Sequence, residues 1–518
     1  MDLDLLLRGA TVLDGTGGPP RRLDVGIRAG RIMLGSIGPA ARDIDLDGLV
    51  LAPGFVDIHT HSDVSLLHDP AGESAVLQGV TTQVVGNCGY SPFPVHPERR
   101  ADLADHLARL GDPRTAITWS DLNGYAASMH PALNVAPLVG HGALRIAAMA
   151  GPYGPASAGD LARMRELLDA ALAAGAFGLS TGLTHSPSSS GDPAEVTALV
   201  EVVARHDAMY ATHARAAAGK ELDAIDEAIS AARDTGGRLQ FSHLALNDPA
   251  FWGRAADALA RFDDARAAGL DVAFDVYPYD ASSSAAIQYL PLWAQDGGSD
   301  GLRAAVAFPA GRERVLAGIR EGFFGGIPWH WDRIVVTWGE PFTGQSIAQI
   351  AADLRKPPED VLLDLCVTHG GACQVVLHYR TEADMTAFLA HPLSVVGSDG
   401  SALPIDGPGL PHPRAFGTFP RVLGRYARDT GLLTLPEAVH KMTLGPARRL
   451  GLADRGEIRL GARADLVAFD PVRVADRATF AAPRQAPDGI ALTIVDGVVV
   501  ARDGSMTGAR PGKVLRRG

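Results

Sequence analysis

The feature that most constrains the fold is a rhythm. Short apolar, β-prone runs recur at intervals of about 25 to 40 residues, separated by alanine-rich stretches of helical periodicity, which is the spacing of βα units. The runs are Phe55 to His59, Thr81 to Val85, Val135 to Val139, Gly178 to Ser180, Ala208 to Thr212, Leu239 to Ser242, Val272 to Val276, and Leu393 to Ser398. Between them, segments such as Leu161 to Ala174 place apolar residues three and four apart, as helices packed on a sheet do. Eight such runs predict an α/β fold of the (β/α)8, TIM-like barrel type. One interval breaks the rhythm. From Asp280 to about Glu340 the chain carries Ser282-Ser283-Ser284, Gly297-Gly298 and scattered aromatics up to Trp338, which reads as an insertion over about 280–340 that caps the active face.

The two ends of the chain have a different texture. Leu5-Leu6-Leu7, Thr11-Val12-Leu13, Asp24-Val25-Gly26-Ile27 and Arg31-Ile32-Met33 alternate with turns at Asp14-Gly15, Gly17-Gly18-Pro19-Pro20 and Ala29-Gly30. Gly456-Glu457-Ile458, Ala464 to Asp470 and Thr493 to Val500 repeat this pattern near the other end. Neither piece is long enough to close a stable sandwich alone, so the two are expected to pair. The predicted organisation is a composite β-sandwich domain of 1–53 and 450–518 around a barrel of 54–449, consistent with a chain of 518 residues, too long for one ordinary core.

Charge and composition exclude several classes of function. A net charge of -12, from 47 basic and 59 acidic residues, argues against a nucleic-acid or anionic-membrane partner. No apolar run reaches the ~20 residues of a membrane span. The start, Met1-Asp2-Leu3-Asp4, lacks a basic region and cleavage site, so a cytoplasmic location is expected. Three cysteines, Cys88, Cys366 and Cys373, make no disulfide framework. Nothing in the pattern specifies an oligomeric state.

The chemistry gathers at the carboxyl ends of the runs, where barrel enzymes place their sites. His59 and His61 end the first, and period two along a strand sends both to one face. Cys88 follows the second run, His213 and His243 end later ones, and Asp399 follows Val395-Val396-Gly397-Ser398. A random scatter of 17 histidines would not select strand ends in this way. Imidazoles converging from strand ends suit a divalent metal, with the second ring nitrogen of each fixed by a hydrogen bond.

This ensemble resembles the amidohydrolase superfamily and, more narrowly, its D-aminoacylase (N-acyl-D-amino-acid deacylase) branch. The resemblance is carried by ordered blocks across nearly the whole chain: Ala52 to Asp57 with His59-Thr60-His61, Gly79-Val80-Thr81-Thr82, Gly86-Asn87-Cys88-Gly89, Gly178-Leu179-Ser180-Thr181-Gly182, Tyr210-Ala211-Thr212-His213, Ser242-His243, Asp275-Val276-Tyr277-Pro278-Tyr279, Gly397-Ser398-Asp399-Gly400 and His412-Pro413-Arg414. Many superfamily members bridge two metals with a carbamylated lysine from a mid-barrel strand. Here the only lysine between His61 and His243 is Lys220, in a helical stretch, which leaves Cys88 as the soft ligand. A thiolate with two imidazoles is a good zinc set with a position left for water. The resemblance implies one tight zinc held by Cys88, His213 and His243, and a weaker second position at His59 and His61 that shares Cys88. It also implies that Asp399 acts as general base and then general acid in amide hydrolysis, on an N-acylated D-amino acid or close relative.

Substrate positions depart from the family pattern. Arg414, Tyr277 and Ser283 match the arginine, tyrosine and serine that hold the substrate carboxylate, but the lysine of that set is Ala245. The segment after the first zinc histidine is Arg215-Ala216-Ala217-Ala218-Gly219, and His185 replaces an aromatic after Ser-Thr-Gly-Leu. The expectation is retained chemistry and a substrate bulkier or less polar beside Ala245. The rival readings are hydrolysis of a cyclic amide, carbamoyl or other C–N bond at the same metal, and a catalytically dead scaffold.

Overall fold

The computed structural model describes residues 3–35, 38–111 and 116–517. Each of the eight β-like runs contains a strand, and they pair in chain order as two parallel sheets. Phe55–Asp57, Val80–Val85 and Asn134–Pro137 form the first. Val139–Gly140, Gly178–Gly182, Met209–His213, Arg238–Phe241, Val272–Val276 and Ser394–Val396 form the second. Only Leu138 separates Asn134–Pro137 from Val139–Gly140, so one stretch of chain serves both sheets. The last strand returns to the first through a parallel bridge between Thr60 and Gly400, with Asp399 N donating to His59 O at 2.8 Å and His61 N to Gly400 O at 2.8 Å. Apart from Arg238 and His213 at two strand ends, these strands are buried throughout, as strands covered by helices on the outside must be. Pro193–Arg205 shows how the helices cover them. Asp192 caps its start by accepting from Glu195 N, Pro193 occupies the first turn, and Val196, Leu199, Val200 and Val203 make the buried stripe.

The N- and C-terminal strands meet in one seven-stranded sheet, in which Val50–Pro53 pairs antiparallel with Leu466–Phe469. Here the two-residue period explains burial on both faces. Leu51, Leu466 and Ala468 pack with Leu5, Leu7, Val25 and Ile27 of a neighbouring four-stranded sheet, while Val50, Ala52, Val467 and Phe469 turn into the main core.

The segment that breaks the βα rhythm builds its own layer. Ser282–Ala285 and Ile334–Trp338 flank Gln374–Leu377 in an antiparallel sheet, backed by helices that include Pro309–Arg320 and Pro358–His369. A separate hydrophobic cluster runs from Ala285 to Tyr379. The layer therefore reaches past the expected limit near residue 340. Its second half, a helix pair followed by Gln374–Leu377, has the texture of one more βα unit in sequence. Among the described residues no helix is long and apolar enough to cross a membrane.

Candidate metal centre and substrate cavity

The floor of the site is made where the parallel strands end. Beyond Phe55–Asp57 the extended chain carries His59 and His61 to a common point, Asp399 Oδ1, at 3.4 Å from His59 Nε2 and 3.0 Å from His61 Nε2. His59 donates from Nδ1 to Asp275 Oδ1 at 3.0 Å, which leaves its Nε2 facing Cys88 Sγ at 3.2 Å. Asp275 also accepts the His243 backbone N–H at 2.8 Å and Gln240 Nε2 at 3.0 Å, so one buried carboxylate orients the His59 ring and anchors the chain at His243. On the other side of Cys88, His243 Nε2 lies 3.5 Å from Sγ and 2.9 Å from His213 Nδ1. His213 Nε2 in turn rests 2.8 Å from Thr184 Oγ1.

Local backbone geometry forces this convergence. Cys88, His243 and Asp399 have φ of 53°, 38° and 51°, in the left-handed region that side chains other than glycine rarely adopt. Such conformations cost roughly 1–3 kcal/mol each and persist only where surrounding contacts over-determine them. At these three positions the chain turns out of a strand end while its side chain stays aimed inward. Gly86 makes the turn before Cys88 possible: its φ is +82°, and a Cβ there would run into the Leu138 carbonyl.

Electrostatics follow from that packing. Burial raises the Cys88 pKa, but the adjacent His59 and His243 overcome it and hold the thiol well below its usual range. Burial, reinforced by His243 and His185, pushes His213 down to about 3, so it presents a neutral ring. Burial opposes protonation of His61, yet its hydrogen bonds to Asp399 and Cys88 bring it to about 9. Burial likewise opposes ionisation of Asp399, but Arg414 at 2.6 Å, with His243 and His59, holds it far below the normal carboxylate range.

Two donor groups result, each within 4.8 Å: Cys88, His213 and His243; and His59, His61, Cys88 and Asp399. A thiolate-disposed cysteine and a neutral imidazole suit a zinc-like cation, as does a histidine oriented through its second nitrogen. The buried His61 Nδ1 has no hydrogen-bond partner among the described residues. The residues present therefore fit such an ion.

A cavity of about 250 Å³ opens over this floor. It is lined by His61, Cys88, His213, His243 and Asp399 below, and by Ala245, Tyr277, Ser283 and Arg414 to the side, while His59 lies buried behind. Arg414 ion-pairs with Asp399 and also donates to the Ser283 carbonyl at 3.2 Å, with its guanidinium 4.8 Å from the Tyr277 ring. The five candidate metal ligands, Asp399, Arg414, Tyr277, Ser283 and Ala245 thus come to one place. Arg215 also lines the cavity, where it ion-pairs with Glu227 at 3.2 Å and donates to the Ser189 and Gly191 carbonyls, which makes it a brace for the neighbouring loop.

Three residues escaped the sequence reading. Asp275 had a signal: it is the one charge in the buried run Val-Ala-Phe-Asp-Val. Thr184 had none, because a threonine in a loop carries no pattern. Arg380, which lines the cavity beside Asn247, follows an unremarkable strand and reads as a surface cation in sequence.

The chain matches the family model described as "Amidohydrolase family" over residues 42–243 and 346–501. It is 40% identical to an N-acyl-D-glutamate deacylase from Alcaligenes xylosoxydans xylosoxydans, over 99% of this chain and 97% of that protein. The crystal structure of N-acyl-D-glutamate deacylase from Bordetella bronchiseptica, with zinc and a phosphonate mimic of the tetrahedral intermediate, superposes with a TM-score of 0.84 at 35% identity, covering 100% of both chains. A D-aminoacylase structure with a binuclear metal centre superposes with a TM-score of 0.83 at 34% identity, over 99% of this chain and 100% of that one.

Proposed function

This chain belongs to the amidohydrolase family, and from that premise we propose that it is a zinc-dependent hydrolase that deacylates an N-acyl-D-amino acid. The observation that carries this reading is the meeting of two metal-competent groups at Cys88, with Asp399 touching both histidines of one of them at the base of a cavity. The proposed architecture is a (β/α)8 barrel of 54–449 with the composite β domain of 1–53 and 450–518. The tight ion would be held by Cys88, His213 and His243, and a weaker second one by His59 and His61 with Cys88 shared. When bound there, zinc lowers the pKa of water and polarises the scissile carbonyl.

The chain's own residues do the rest. Arg414 keeps Asp399 ionised, so the carboxylate is ready to take the proton of the attacking water. Asp399 then returns that proton to the leaving nitrogen, because an amine departs poorly as its anion. Asp275 fixes the tautomer of His59 through Nδ1 and anchors the backbone of His243, and Thr184 positions the His213 ring through Nε2. Tyr277, whose buried hydroxyl has no hydrogen-bond partner among the described residues, and Arg414 face the substrate. A panel of N-acetyl-D- and N-acetyl-L-amino acids, hydantoins and lactams, run on zinc-loaded protein, tests the reading. Turnover confined to N-acyl-D-amino acids is expected, and turnover confined to cyclic amides would overturn it.

A further inference from the structure

The cavity holds a cation that the proposed chemistry does not use. Arg414 is ion-paired with Asp399, Arg215 with Glu227, the buried Arg109 donates to the Ser186 carbonyl, and Arg484 donates to the Pro404 and Pro408 carbonyls. Arg380 differs from these four, being bound neither to a carboxylate nor to a backbone carbonyl among the described residues. Its Nε donates to Asn247 Oδ1 at 2.9 Å, and among the described residues it has no ion-pair partner and no other hydrogen bond. Its guanidinium lies 4.7 Å over the ring of Tyr277, the same ring that Arg414 approaches at 4.8 Å. The Tyr277 hydroxyl is buried and has no hydrogen-bond partner among the described residues.

Position completes the argument. Asn247, which anchors Arg380, is two residues beyond Ala245, and Ala245 and Arg380 line both the main cavity and a small crevice beside it. Ala245 occupies the place where the resemblance calls for a lysine. The side of the pocket that lost a cation along the chain is thus approached by one from the added layer, just past Gln374–Leu377. A half-buried guanidinium has donors in a fixed fork and matches a carboxylate with two parallel bonds. Arg414 cannot be spent on substrate alone, since Asp399 shares its charge.

We propose that Arg380 receives a carboxylate of the acylated amino acid, in the space that Ala245 leaves, with the Tyr277 hydroxyl as its neighbour. This rests on the reading of the chain as an N-acyl-D-amino-acid deacylase, and it replaces the expectation of a less polar pocket on that side. The carboxylate is either the α-carboxylate common to all such substrates or the second one of an acidic amino acid.

The test compares zinc-loaded wild type, Arg380→Met, Arg380→Lys and the double variant Ala245→Lys/Arg380→Met. The substrates are N-acetyl-D-methionine, N-acetyl-D-glutamate and the neutral N-acetyl-D-methioninamide. Arg380→Met is expected to lower kcat/KM for an acid by roughly ten- to a hundredfold, mainly through KM, while leaving the neutral amide and the zinc content unchanged. Arg380→Lys should retain part of the activity, and Ala245→Lys should restore part of it. A loss for both acids assigns Arg380 to the α-carboxylate; a loss for the glutamate alone assigns it to the side-chain carboxylate. Equal kcat/KM in wild type and Arg380→Met for both acids overturns the inference and leaves the deacylase reading intact. Calorimetry of the same two acids with wild type and Arg380→Met adds a readout independent of turnover, and no affinity for either anion in the wild type would overturn it as well.

Discussion

The floor and the wall of the cavity are built on different principles. The floor comes from the ends of parallel strands, and its residues hold one another: His59 on Asp275, His213 on Thr184, Asp399 on Arg414. Three of its side chains sit on left-handed backbone, a strain that only a tightly packed frame sustains. The wall comes largely from the layer around Ser282–Ala285, Ile334–Trp338 and Gln374–Leu377, which has its own hydrophobic cluster and contributes Phe323, Phe324 and Trp338 to the lining. The family match pauses between residues 243 and 346, which is where much of this wall is encoded. The contrast teaches that a reaction can be kept by frame residues while the substrate is chosen by an independently packed layer.

If that separation holds, substitutions in the floor change metal and turnover, and those in the wall change which substrate is used. The largest effect is expected for Cys88→Ala, which removes the ligand common to both donor groups. Turnover should fall by more than the roughly 10²–10⁴ that a proton-transfer residue contributes. Metal analysis should find far less zinc than in His59→Ala, and zinc at the wild-type level would break the assignment. Next comes Asp275→Ala, which frees the His59 ring and the backbone N–H of His243 at once: zinc affinity, read by competition with a chelator, should weaken about 10–100-fold. Unchanged affinity would mean that Asp275 is only a core acid.

On the wall, Phe324→Ala should change the ratio of kcat/KM between a short and a long N-acyl group by about tenfold, with zinc content untouched. A loss of zinc there would show that the two regions are not independent. The smallest effect is expected for Thr184→Val, which deletes one hydrogen bond behind His213 and should weaken zinc binding by about fivefold. An effect equal to that of Cys88→Ala would place Thr184 among the ligands.

The same contrast decides what could be read from the sequence. The strands are legible because a buried parallel strand needs an unbroken apolar run, and the site residues because they stand directly after such runs, as His213 and His243 do. The pairing of the two chain ends is legible because neither could bury its apolar face alone. Arg380 is not legible, since its partners Asn247 and Tyr277 lie more than a hundred residues away and no periodicity links them. Nor is the ion pair of Arg414 with Asp399, because sequence shows charges but not which of two roles a single guanidinium must share. The full extent of the added layer is not legible either, because its second half, a helix pair followed by Gln374–Leu377, has the spacing of a βα unit.

The central claim is that Asp399 moves the proton at a metal centre assembled by the other strand ends. The most direct test is Asp399→Asn, with zinc content, thermal unfolding and kcat measured on the same preparation. The amide preserves shape but cannot accept the proton, so the account predicts at least the one tight zinc, an unfolding midpoint near that of the wild type, and kcat lower by roughly 10²–10⁴. A zinc-replete Asp399→Asn protein with near-normal kcat would contradict it.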